Sequence, residues 1–237
     1  MFELPVSGFD ETVKIAPSKI IALGLNYADH IAESRSVKVR GMDESIPSEP
    51  VLFSKTPNVL IPPNAPIVLP SLVSDYEFEE PRTDYEGELA LIIGSRARSI
   101  REEDAYDYVF GYTCMNDVSQ RNIQNGDRSG WFRGKSFDTF GPIGPVVVPA
   151  ARLSNPHGLR IQTRLNGVTV QDASTSQMIF SIPKMLVFIS RNLTLEPGDI
   201  VLTGTPSGVG PLQPGDVVEV EIEGIGILRN PVIAERG

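Results

Sequence analysis

Histidine, cysteine and tryptophan are scarce in this chain: two, one and one among 237 residues. With Cys114 alone, no internal disulfide can form, and the expected role is that of a small buried apolar residue. The shortage of both histidine and cysteine argues against a zinc site. Basic residues do not dominate either. The 21 Lys and Arg face 30 Asp and Glu, a net charge of −9, where a general nucleic-acid binder would show a basic face. No apolar run approaches the roughly 18 residues that a membrane helix needs. The first residues, "MFELPVSGFDETVK", have neither the basic start nor the apolar stretch of a signal peptide. A cytoplasmic protein with no nucleic-acid or membrane partner is expected.

What is there is strand-forming. "KIIALGL" (19–25) reads as a first strand, preceded by an extension over 1–18. "ELALIIG" (88–94) and "YVFGYTCMND" (108–117) read as inner strands, and "GPVVVP" (144–149) as another. Asn166-Gly167, between alternating runs, marks a hairpin. "DIVLTG" (199–204) and "DVVEVEIEGIGILRNPV" (216–232) complete a strand-rich C-terminal half. Three helices are expected: one near Asn26 in "NYADHIAES", one after a Ser99/Glu102 capping box, and one capped by Ser181 with Pro183 in its first turn. The polar stretch 34–50, broken by Gly41 and Pro47, reads as a lid loop. A second polar excursion covers 74–84. With no repeat and no shift in composition, 19–237 reads as one β-rich domain.

Glu86 and Glu88 flank Gly87 at the mouth of a strand. Alternate residues of a strand share a face, so the two carboxylates point the same way, roughly 7 Å apart. They are either a solvated strand end or ligands of a hard divalent cation, which takes carboxylate oxygens. Asp117 ends another apolar strand and supplies a third carboxylate for the same ion. His30 and Glu33, three apart on a helix, are either a surface pair or a general base with the carboxylate that holds it. Lys135, among aromatics and glycines in "WFRGKSFDTFGP", either lies along the surface or serves an anion. "TGTPSGVG" (203–210) lacks the Lys-Ser/Thr ending of a phosphate loop, but the backbone around Gly204 and the Thr205 hydroxyl suit a carboxylate.

Six segments in order, "GLNYADHIAE", "DYEGELALIIG", "GYTCMNDVSQRNIQ", "GKSFDTFGPIGP", "LNGVTVQDAST" and "GDIVLTGTPSGVG", make the chain resemble the fumarylacetoacetate hydrolase family from about Lys19 to Pro231. The resemblance implies a mainly β fold with short helices, a mixed β-sandwich roll, in a single-domain member that is usually a homodimer. It implies a Mg2+ site, with Mn2+ or Ca2+ as alternatives, on Glu86, Glu88 and Asp117. It implies a His30–Glu33 dyad, an active-site Lys135, and substrate contacts from Arg121, Gln124, Gly204 and Thr205. The implied substrate is a small 2-oxo acid. C–C hydrolysis of an acylpyruvate leads, with isomerisation or decarboxylation of related acids as the alternative. A dicarboxylate-binding protein without turnover is the reading from another class. Two positions depart from the family pattern: Gln120 stands for alanine and Asn122 for aspartate. The second removes a charge beside Arg121 and leaves open what orients it.

Overall fold

The computed structural model describes residues 2–33, 46–128 and 130–235. The central sheet has seven strands in the order β4 (Val51–Lys55), β3 (Ile20–Gly24), β14 (Ile200–Leu202), β8 (Gly87–Ile93), β9 (Val109–Asn116), β11 (Gly141–Pro149) and β5 (Leu60–Ile61). The β3–β14 and β11–β5 pairs are parallel and the others antiparallel. A second sheet of five runs β13 (Val168–Ser174), β12 (Arg160–Leu165), β16 (Val217–Ile222), β17 (Gly226–Ala234) and β6 (Ile67–Leu69). A small ribbon joins β10 (Ser119–Gln120), β7 (Thr83–Tyr85) and β15 (Gly210–Pro211). Among the described residues there are four short α-helices: α1 (Ala28–Glu33), α2 (Arg121–Gly126), α3 (Phe132–Lys135) and α4 (Ile182–Asn192). This is a mainly β fold with short helices, as the resemblance implies.

Strand β8 shows how the sequence builds the core. All seven of its residues are buried, so both faces are covered rather than one. Leu89, Leu91 and Ile93 join a cluster with Met185, Leu186 and Ile189 of α4 and with Ile161, Val220 and Ile222 of the five-stranded sheet. Ala90 and Ile92 face the other way, into a cluster with Met115, Phe140, Ile143 and Val232. Glu86 and Glu88 share the parity of that second set. The sheet is therefore sandwiched, and the two acids sit where its even-numbered face runs out of apolar residues.

Some expectations are corrected. "KIIALGL" is the third strand: β1 (Phe2–Pro5) and β2 (Thr12–Ile15) form a hairpin before it, whose Leu4 and Ile15 are buried in the core. Each of these strands is only four residues long, too short to give a periodic signal. Ser99 does not cap a helix. Its backbone is left-handed at φ +51°, and Glu102–Tyr108 is a 3-10 segment that starts without a side-chain cap. Ser181 does cap α4, accepting from the Lys184 N–H at 3.5 Å, with Pro183 in the first turn. His157, read as a turn residue without a role, accepts the Ile182 N–H at 3.0 Å and so satisfies a second donor at the same helix start. The Asn166-Gly167 turn joins β12 to β13, both residues at positive φ. Of the lid expected over 34–50, residues 34–45 lie outside the described residues, and 46–50 carry no helix or strand. Among the described residues no helix is long and apolar enough to cross a membrane.

Candidate active site

The register of β8 against β9 pairs Gly87 with Asn116, which sets Glu86 opposite Asp117. The Asp117 N–H donates to Glu86 O at 2.8 Å, and Asn116 Oδ1 accepts the Glu86 N–H at 2.9 Å. Ladder geometry thus brings together acids about thirty positions apart in the chain. One carboxylate oxygen from each of Glu86, Glu88 and Asp117 lies within 4.8 Å of the others, and all three residues are buried.

Glycine separates the glutamates because nothing larger fits. A Cβ on Gly87 would stand 2.3 Å from Thr163 Oγ1 and 3.2 Å from Val220. The carboxamide of Gln171, from β13, fills the rest of this corner. It accepts from the Gly87 N–H (3.1 Å) and the Thr163 hydroxyl (2.6 Å), and donates to Thr205 Oγ1 (2.9 Å) and Pro206 O (2.8 Å). All four of its bonding sites are used, which suits a buried amide. Thr205 Oγ1 donates in turn to Gly87 O at 2.9 Å, so its proton is already engaged. The Gly204 N–H donates to Glu88 Oε2 at 2.7 Å.

Buried cations interleave with the acids. Lys135 Nζ bridges Glu86 Oε2 (2.5 Å) and Asp117 Oδ2 (2.6 Å). Arg121 pairs with Glu86 and, through Nε, with Asp84 Oδ2 at 2.8 Å; its NH1 donates to Gln124 Oε1 at 3.1 Å. Lys55, which carries no local sequence signal, is wholly buried with Nζ 2.6 Å from Asp117 Oδ1 and 3.3 Å from Val118 O. Burial pushes Glu86 up, but Arg121 and then Lys135 outweigh it and hold the carboxyl well below its ordinary range. Among the described residues, Glu88 has no cation in contact. Burial first, then the charges of Asp117 and Glu86, raise it well above the ordinary value. Burial lowers Lys55. It opposes the charge on Lys135 too, but Asp117 and Glu86 prevail there and keep that ammonium protonated.

His30, Glu86, Glu88, Arg121, Gln124, Lys135 and Thr205 line one cleft, with Leu23, Leu25, Phe53 and Trp131 as its apolar wall. Trp131 meets Phe53 edge-on at 5.3 Å, and Lys135 Nζ sits 4.9 Å from the Phe53 ring centre. His30 Nδ1 lies 3.6 Å from Glu33 Oε1, longer than a hydrogen bond, and that oxygen also accepts the Gly208 N–H at 2.6 Å. Glu33 is the most exposed of the group and sits at the rim. Burial raises its carboxyl, and His30 followed by Gly208 more than offset this, leaving it below the ordinary value.

Every expected site residue is therefore in or against one cleft. Lys55, Asp84 and Gln171 were not anticipated. Asp84 had a signal: 84, 86 and 88 alternate with apolar or small residues, placing three acids in a row. The two departures from the family pattern also find a role. Gln120 Oε1 caps α2 by accepting the Ile123 N–H at 2.8 Å. Asn122 accepts from Arg82 N (2.8 Å) and donates to Glu80 O (3.0 Å), tying the acidic stretch 74–84 to the same helix.

The donor set fits a hard divalent cation: three carboxylates, no nitrogen or sulfur, and mutual repulsion at Glu88 that a cation would relieve. Comparison with known proteins adds to this geometry. The family description "Fumarylacetoacetate (FAA) hydrolase C-terminal" matches residues 19–233. The oxaloacetate tautomerase YisK of Bacillus subtilis is 42% identical over 224 residues, 91% of this chain and 70% of that one. The crystal structure of fumarylpyruvate hydrolase from Pseudomonas aeruginosa with Mn2+ and pyruvate aligns with a TM-score of 0.82 at 30% identity, covering 99% of this chain and 96% of that one. A 5-carboxymethyl-2-hydroxymuconate delta-isomerase from Mycobacterium smegmatis aligns at 0.80 with 38% identity, covering 94% and 81%.

Proposed function

The chain belongs to the fumarylacetoacetate hydrolase family, and from that premise we propose that it is a divalent-cation-dependent enzyme of small 2-oxo acids that hydrolyses the C–C bond of an acylpyruvate. The observation that carries the reading is the shared cleft, in which the acid triad, a buried bridging lysine and the histidine meet. Glu86, Glu88 and Asp117 would hold Mg2+ or Mn2+. Such an ion supplies Lewis acidity toward the oxygens of a 2-oxo carboxylate.

The remaining chemistry belongs to the chain. Glu33 faces Nδ1 of His30, which favours the tautomer whose Nε2 is free to take a proton from water. That water attacks the carbonyl remote from the carboxylate, and the C–C bond breaks with its electron pair passing to the pyruvate half. Lys135 faces the negative charge that develops there, in surroundings that exclude bulk water. Arg121 and Gln124 border the substrate, and Thr205 contributes its backbone N–H, since its hydroxyl is engaged by Gly87 O.

A second reading is favoured by the relative YisK, which bears the name of an oxaloacetate tautomerase. Moving one proton at the carbon next to the 2-oxo group needs the same base and no attacking water. One assay separates the two. Acetylpyruvate, fumarylpyruvate, enol-oxaloacetate and a 2-hydroxydienoate are offered to chelator-treated enzyme, with and without added Mg2+ or Mn2+. Cation-dependent cleavage of the acylpyruvates is expected. Turnover of enol-oxaloacetate alone would select tautomerisation, and turnover unaffected by chelation would remove the cation from the proposal. A homodimer forms part of the same proposal and is checked by sedimentation.

A further inference from the structure

We infer that Lys55 is a built-in counter-ion that couples cation uptake to the arrival of a doubly charged anion. The inference rests on reading Glu86, Glu88 and Asp117 as the cation's ligands, and it goes on to the charge form of the substrate.

The linked side chains balance. Among the described residues, the carboxylates of Glu86 and Asp117 meet the cations Lys55, Lys135 and Arg121 through ion pairs, and Glu88 sits on the Gly204 N–H beside them. Asp84 and Arg82 form a further balanced pair at 2.6 Å. The cluster is therefore formally neutral before any metal enters. A divalent ion adds two positive charges where Lys55, Lys135, Glu86 and Asp117 side chains are all at most 4% exposed. In such surroundings an uncompensated charge is costly.

Three cations could in principle make room. Lys135 and Arg121 line the cleft, where an incoming anion meets them directly. Lys55 cannot. It does not line the cleft, its side chain has no exposure, and it is held between Asp117 Oδ1 and Val118 O. Its side chain stays beside Asp117, so compensation comes from the ligand. A 2-oxo monocarboxylate supplies one negative charge, and a second appears when the carbon beside the oxo group loses its proton. A 2-oxo dicarboxylate arrives with two. The site is thus matched to the dianion, which is also the form toward which the reaction proceeds, so binding strengthens as charge develops. By linkage, the anion must raise cation affinity by the same factor that the cation raises anion affinity.

Oxalate is a suitable probe, since its adjacent carboxylates present the oxygens of a 2-oxo acid with two charges. Mn2+ binding is measured by paramagnetic resonance and calorimetry in the presence of oxalate or of acetate, corrected for the Mn2+–oxalate complex in solution. Oxalate is expected to tighten Mn2+ at least tenfold, and acetate less than twofold. Lys55→Met keeps the volume and removes the charge; it is expected to bind Mn2+ alone at least tenfold more tightly, with the oxalate gain reduced by a similar factor. Mn2+ that binds but is not tightened by oxalate, or a folded Lys55→Met that binds Mn2+ no better than wild type, overturns the inference and leaves the ligand assignment standing. No Mn2+ binding in any arm overturns both. Should Lys55→Met fail to fold, the wild-type arms decide alone.

Discussion

Arg121 Nε donates to Asp84 Oδ2 at 2.8 Å, while the other oxygen of that carboxylate takes Arg82 Nε at 2.6 Å. Asp84, and not the neighbour at 122, aims the guanidinium at Glu86 and Gln124. Asp84→Ala removes one of the two carboxylates that hold a buried guanidinium, and breaking a buried pair costs up to about 3–5 kcal/mol. Urea denaturation is expected to show a loss of that order, with kcat/KM down at least tenfold. Asp84→Asn, which keeps an acceptor, should recover part of the stability.

His30 lines the cleft without contacting the acid triad through any hydrogen bond. His30→Gln is therefore expected to lower kcat by about 10²–10⁴, the range of general-base contributions, while Mn2+ titrates as in wild type. Glu33→Gln should cost less, because it alters only the holding partner. Equal losses in kcat and in Mn2+ affinity would place His30 among the ligands instead.

Gly87→Ala drives a methyl into Thr163 Oγ1. Overpacking of this kind costs about 1–3 kcal/mol, and it spreads the two glutamates, so Mn2+ affinity should fall with stability. Adding Thr163→Ala returns the space. The double variant is expected to be more stable than the sum of the two single losses. Strict additivity would show that the clash is relieved elsewhere.

Asp199 tests acid stability away from the cleft. Its side chain is fully buried and accepts from Ser18 N and Oγ, Lys19 N and Glu196 N, with Lys19 Nζ at 2.5 Å. Burial raises its carboxyl, but the Glu196 N–H, Lys19 and Ser18 together hold it below the ordinary value. A depressed carboxyl stabilises the fold above its unfolded value, about 3.9, and that contribution is lost as pH falls through the folded value. Asp199→Asn is expected to cost about 1.5–3 kcal/mol at neutral pH. The gap to wild type should close below about pH 4 in acid denaturation curves.

Much of this was legible in the chain. The buried strands carried long apolar runs, Asn166-Gly167 marked its hairpin, and the acids at 86, 88 and 117 stood at strand mouths. What stayed hidden was non-local. Lys55 ends an edge strand beside β3, and nothing near it in sequence tells that Asp117 will lie against it. Gln171 sits in an ordinary hairpin strand and matters only because β13 passes behind Gly87. Four-residue strands such as β1 are fixed by the partner they pair with rather than by their own pattern.

The two ends of the cleft are fastened differently. The acids are gripped by the centre of a seven-stranded sheet, whereas His30 rides on a six-residue helix pinned by Glu33 to Gly208. One end is a chassis and the other a replaceable tool-head. Under the proposed function, swapping a handful of residues in that helix would retask the chemistry, from splitting a chain to shuffling a proton, without recasting the acid frame.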